Sequence, residues 1–150
     1  MPIDHRLAEL SDAAALLELM RGLQRDDPWS VPFEETTVRR VVEELLRNPV
    51  FGEAWLVCDG AAPVGYVVLC FDYSLEYGGR GAWIDELYIA ESHRGRGLGG
   101  DTLRFAEARA REAGAQVLHL EINRGNPAIE LYRRNGFVDH DRYLMSKDLA

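Results

Sequence analysis

The chain has 150 residues, 47% of them hydrophobic, and its 17 basic against 25 acidic side chains leave a formal charge of −8. That length suits one domain with a buried core, and no apolar run approaches the roughly 20 residues that span a bilayer. The acid excess speaks against nucleic-acid binding, which usually shows a basic face, and is compatible with a cationic substrate drawn to an acidic cleft. The opening Asp4, His5 and Arg6 lack the basic region and apolar stretch of a signal peptide, so a cytoplasmic protein with no membrane partner is expected.

Residues 4–10 suit a short strand, and Ser11-Asp12 then precede a helix with Leu16, Leu19, Met20 and Leu23 at helical spacing. The loop 26–33 follows, rich in Asp and Pro. A second helix carries Val38, Val41, Val42 and Leu45 on one stripe and stops before Asn48-Pro49. Two strands, 51–58 and 64–71, flank the hairpin signal Asp59-Gly60. The hairpin sets Cys58 opposite a residue near Val64 and Cys70 opposite one near Gly52, which speaks against a disulfide. A polar, Gly-rich connection is expected over 73–81, then a strand over 82–90. Past the glycines, Leu103, Ala106, Ala110 and Ala113 share one face of a helix that stops at Gly114. A strand over 116–122, a helix opened by Asn126-Pro127, and strand pieces at 137–138 and 142–146 complete the order. The pattern is mixed α/β, antiparallel in its first half and with crossover helices in its second. The four histidines are scattered without metal-ligand spacing.

The most informative segment is Arg94-Gly95-Arg96-Gly97-Leu98-Gly99-Gly100, between an apolar strand and a helical pattern. Glycines let backbone approach a ligand closely, and a helix start offers unpaired N–H groups and a positive dipole end. Together these bind phosphate or pyrophosphate. Gly95, Gly97 and Gly100 also satisfy the G-x-G-x-x-G spacing of dinucleotide folds, with Glu121 near the place of the ribose-binding acid. Against that alternative stand the late position of the loop, the few residues after it, and two arginines that suit a ligand with several phosphates. No Gly-Lys-Ser/Thr follows, so a P-loop is excluded.

The run Arg94 to Gly99 resembles the R/Q-x-x-G-x-G/A signature of the GNAT family of N-acetyltransferases. The run Asn126 to Phe137 is similar to that family's second block, N-x-x-A-…-Y-x-x-x-G-F, and the two blocks have the family's order and separation. The region around Asp85-Glu86 and the Tyr132 block resembles bacterial relatives of the diamine and polyamine acetyltransferases. The resemblance implies a single domain, residues 1–150, with a central twisted mixed sheet of six to seven strands and about four helices. It implies acetyl-CoA as donor and direct acetyl transfer to an amine. It assigns the CoA contacts to Arg94, Gly95, Arg96, Gly97, Leu98 and Gly99, to the backbone of Leu87, Tyr88 and Ile89, and to Asn123 and Asn126. It also makes Tyr132 the acid that protonates the leaving thiolate.

An alkylamine attacks only when neutral, yet is mostly protonated at pH 7. A carboxylate must accept the proton. Glu86 is the first candidate and Asp85 the second; strand alternation predicts that they face opposite ways. Glu121 is a weaker candidate. The acid cluster Asp85, Glu86 and Glu76 leans toward a small cationic amine, with the acceptor expected among the hairpin region, loop 26–33 and connection 73–81. The alternatives are a protein N-terminus or lysine as acceptor, or an acyl-CoA-binding domain without turnover. A homodimer is compatible with such folds, and no metal is expected.

Overall fold

Two apolar stretches meet at a two-residue turn: Asp59 faces Ala62 across Gly60-Ala61, and Gly60 takes φ 62°, a conformation that a Cβ disfavours. That turn sets the register of β2 (Gly52–Asp59) against β3 (Ala62–Ser74). The computed structural model describes residues 2–150. Among them β1 (Ile3–Leu7) pairs with β2, and β4 (Gly79–Ile89) with β3, all antiparallel. β5 (Leu118–Leu120) joins β4 in parallel after a crossover helix. The sheet order is β1-β2-β3-β4-β5. Cys70 lies opposite Gly52 and Cys58 opposite Pro63, and both thiols are free, as the hairpin geometry predicts.

Successive residues of β3 feed two cores, because strand side chains alternate. Tyr66 and Val68 pack with Leu56 under α1 (Ala13–Asp26) and α2 (Glu35–Arg47), through Leu16, Leu17, Met20, Val38 and Val42. Val67 and Leu69 pack with Ile84 under α3 (Leu98–Glu112), through Leu103 and Ala106. The short α4 (Ile129–Arg134) adds Leu131 and Tyr132 to that second core. No described helix is long and apolar enough to cross a membrane.

The mixed α/β order and the four helices match expectation. The described sheet has five strands, however, not six to seven. Residues 137–138 and 142–146 form no strand. Instead Arg133 holds Asp139, Arg142 donates to Glu76 at 2.8 and 3.1 Å, and Tyr143, Leu144 and Met145 stay exposed. The connection 73–81 is shorter than its composition implies, because the β3–β4 ladder runs out to Ser74 and Gly79. Both sides of that hairpin tip are polar, so no alternation marks it as strand.

Two irregularities in β4 shape the site. Val68 pairs with Glu86 but Leu69 pairs with Ile84, so Asp85 is an extra residue, a β-bulge. β4 also pairs with β5 only over Ala82–Ile84. Past Ile84 the β5-facing edge of β4 has no strand partner among the described residues. The opposite edge is held tightly: a Cβ on Gly65 would lie 2.5 Å from the Tyr88 carbonyl oxygen. Gly65→Ala should therefore push β4 away from β3 and destabilise the protein by ~1–3 kcal/mol, read as a lower urea midpoint. An unchanged midpoint would show that the strands part without cost.

Candidate active site

The loop that leaves β4 turns twice through left-handed backbone, at Gly95 (φ 72°) and Gly97 (φ 80°). A Cβ at either position would meet only open space, so the glycines answer to conformation and leave room for a ligand. Gly97 is the N-cap of α3 and supplies no side-chain cap, while its carbonyl accepts from the Asp101 N–H at 3.0 Å. The N–H groups of Leu98, Gly99 and Gly100 lie ahead of the helix's own hydrogen-bonding partners. They border a cavity of about 360 Å³ lined by this loop, by Leu87 and Ile89 of β4, and by Ala128, Leu131 and Arg134. An anion there meets a helix dipole and unpaired donors together.

The predicted side chains of this region are held by partners that local patterning did not reveal. Arg94 donates through Nε to the Ile89 carbonyl at 2.8 Å and forms an ion pair with Asp26. Arg96 lies 3.9 Å from Asp59, whose carboxylate also meets the His93 ring at 3.1 Å. Asn123 and Asn126 both donate to the Asp27 carboxylate, at 2.6 and 3.2 Å. The Asn126 side-chain oxygen accepts from the Ala128 N–H at 2.9 Å. It thus caps the turn ahead of α4, and the regular helix starts two residues later than its Asn-Pro signal implies. The side chains of Leu87, Tyr88 and Ile89 pack into the cores.

The other face of β4 holds the acids. Glu86 is 8% exposed. Trp29 Nε1 donates to its Oε2 at 2.7 Å, and the Tyr66 hydroxyl donates to its Oε1 at 2.9 Å. The bulge turns Asp85 toward the same side, and both line one cavity of about 180 Å³ under α1 and α2. The expectation of opposite faces fails here, because the extra residue breaks the period of two. Two other acids fall away: Glu76 is paired with Arg142 on the hairpin tip, and Glu121 is exposed and lines neither cavity. Of the three expected acceptor regions, loop 26–33 contributes Trp29 and the hairpin strands contribute Ala54, Tyr66 and Val68. Connection 73–81 contributes nothing to this cavity.

Residues 16–137 match the model of the acetyltransferase (GNAT) family. The chain belongs to that family. The acetyltransferase is 28% identical to the thialysine N-epsilon-acetyltransferase of Bos taurus, over 89% of this chain and 83% of that protein. It is 47% identical to the streptothricin acetyltransferase of Streptomyces lavendulae over 56 residues, which are 37% of this chain and only 30% of that protein. A Clostridium acetobutylicum structure described as a predicted acetyltransferase with acetyl-CoA shares the fold, with a TM-score of 0.82 at 18% identity over 97% of this chain and 96% of that one.

Burial dominates the electrostatics of the acetyltransferase's acids. It pushes the Glu86 carboxyl up to about 7, against the pull of the Trp29 and Tyr66 hydrogen bonds and with a further push from Asp85. Desolvation also raises Asp85, which keeps some open surface at the cavity. Tyr132 is raised first by burial and then by the Asp27 charge, and its ring meets Phe137 edge-on at 5.9 Å. Because the folded pKa of Glu86 lies above its ordinary value near 4.5, the native state favours the protonated form. That contribution to stability is complete below the ordinary value and is lost as pH rises through about 7. Glu86→Gln, which cannot ionise, should therefore gain thermal stability relative to the unsubstituted protein between pH 5 and pH 9, by several degrees. Parallel melting profiles across that range would contradict the buried-acid assignment.

Proposed function

We propose that the acetyltransferase is a single-domain enzyme, residues 1–150, that moves an acetyl group from acetyl-CoA to the primary amine of a small molecule, cationic through that amine. One observation carries this reading: β4 parts from β5 after Ile84, between an uncapped helix N-terminus on one side and the Asp85–Glu86 cavity on the other. The residues present fit such a donor. The amides from Gly95 to Gly100, with Arg94 and Arg96, suit the pyrophosphate. The open backbone edge of Leu87, Tyr88 and Ile89 suits the amide-bearing pantetheine arm, and Asn123 and Asn126 offer it further amide partners. When bound, acetyl-CoA supplies an acetyl thioester whose carbonyl an amine can attack, and a β4 N–H beside the bulge would polarise that carbonyl.

Glu86 then acts as the base. A carboxyl near 7 is ionised in a large fraction of molecules at neutral pH and is a stronger acceptor than an ordinary carboxylate. Asp85 holds the ammonium beside it. Tyr132, kept protonated by burial and the Asp27 charge, donates to the departing sulfur. The amine lone pair forms the C–N bond as the C–S bond breaks. Of the two protons the ammonium gives up, one leaves to solvent through Glu86 and one balances the proton gained by sulfur.

Tyr132→Phe should lower kcat about 10²-fold while the acetyl-CoA Kd, read by calorimetry, stays within about twofold. An unchanged kcat would remove Tyr132 from the chemistry. The kcat/KM of the unsubstituted enzyme should climb as pH rises through about 7, and Glu86→Gln should lose that limb while keeping the one set by the amine itself near ~10. A limb that survives in Glu86→Gln would transfer the base role to Asp85 or to water.

A further inference from the structure

We infer that the acceptor is a primary amine borne on an apolar body that carries no second charge. The inference rests on the amine-acetylation reading above and adds the substrate class. Besides Asp85 and Glu86, the cavity is walled mainly by apolar side chains, among them Leu16 and Met20 of α1 and Val38, Val42 and Leu45 of α2; the polar groups beside these are uncharged, those of Trp29, Thr37 and Tyr66. Its only carboxylates are the two adjacent ones on β4, and its lining has no Lys, Arg or His. One ammonium is therefore matched at the bulge. The second ammonium of a diamine would find no further counter-charge in that lining, and an acceptor carboxylate would find no cation there; both are expensive to desolvate. A methyl-ended chain in the same place gains from burial. At about 180 Å³ the cavity falls below the usual range of roughly 300–1,000 Å³ for drug-sized ligands. That favours a body of a few carbons, or a single ring, over a long polymer segment.

In the transfer itself the amine loses its protons as described above and leaves as the N-substituted acetamide, while CoA leaves as the thiol. The apolar body takes no part in the chemistry and acts on KM and specificity. Val41 matters for the test because it lines the cavity yet is 49% exposed on α2, so a charge placed there need not disrupt the core.

The experiment compares n-hexylamine, 1,6-diaminohexane and 6-aminohexanoate, which share a chain length and differ at the far end. Binding is read by calorimetry in the presence of CoA, and turnover by CoA release from acetyl-CoA. Hexylamine should bind at least about tenfold more tightly than either charged analogue, and n-butylamine about fifteenfold more weakly than hexylamine, at roughly fourfold per methylene. Val41→Asp should weaken hexylamine and strengthen 1,6-diaminohexane. Hexylamine that binds in this pattern without being acetylated would sustain the pocket assignment and sink the transfer reading. Equal or tighter binding of the diamine or the amino acid to the unsubstituted protein, or no binding of hexylamine, would overturn the inference whatever the turnover shows.

Discussion

The site depends on a single interruption of backbone pairing. On the β3 side β4 is paired from Gly79 to Ile89 apart from the bulge at Asp85, but on the β5 side only over Ala82–Ile84. An unpaired strand edge is a row of donors and acceptors that seeks a partner, and proteins usually cover or blunt it. Here the open segment lies beside the glycine loop and just past the bulge at Asp85. The bulge does a second job, turning two neighbouring acids to one face when ordinary alternation would separate them. A buried acid, an open strand edge and the glycine loop thus follow one another along residues 86–100.

The cost of burying Glu86 is offset locally. Trp29 and Tyr66 each donate to one of its oxygens, so an acid at 8% exposure has both oxygens hydrogen-bonded. Trp29 is fixed in turn, since its backbone N–H donates to Gln24 at 3.0 Å and its ring packs on Phe33 at 5.4 Å. The α1–α2 segment therefore acts on both faces of β4. Asp26 engages Arg94, Asp27 engages Asn123 and Asn126, and Trp29 engages Glu86. The end of α1 is tied to the glycine loop, to the residues beyond β5 and to Glu86.

Features with local backbone demands were legible in the sequence. Gly95 and Gly97 stand where φ is positive, the Asn126 cap stands before α4, and the hairpin register followed from Asp59-Gly60. Features made by partners distant in the chain were not. Asp26 meets Arg94 across 68 residues, and Trp29 meets Glu86 across 57. No local pattern marks an acid pair in a loop as the partner of a basic loop so far away. The bulge escaped because Ile84 to Ile89 reads as continuous strand, and only the register against Val68 and Leu69 exposes the extra residue. The C-terminal strands were overread because residues 142–146 carry apolar side chains that the fold leaves exposed.

On this reading a phosphorylated acyl donor completes the open edge of β4 and caps α3. Amide hydrogen exchange with and without acetyl-CoA, and with NADH as control, tests it most directly. Acetyl-CoA should slow exchange at residues 87–89 and 95–100 together, and NADH should leave both segments unchanged. Protection confined to other elements, or the same protection from NADH, would contradict it.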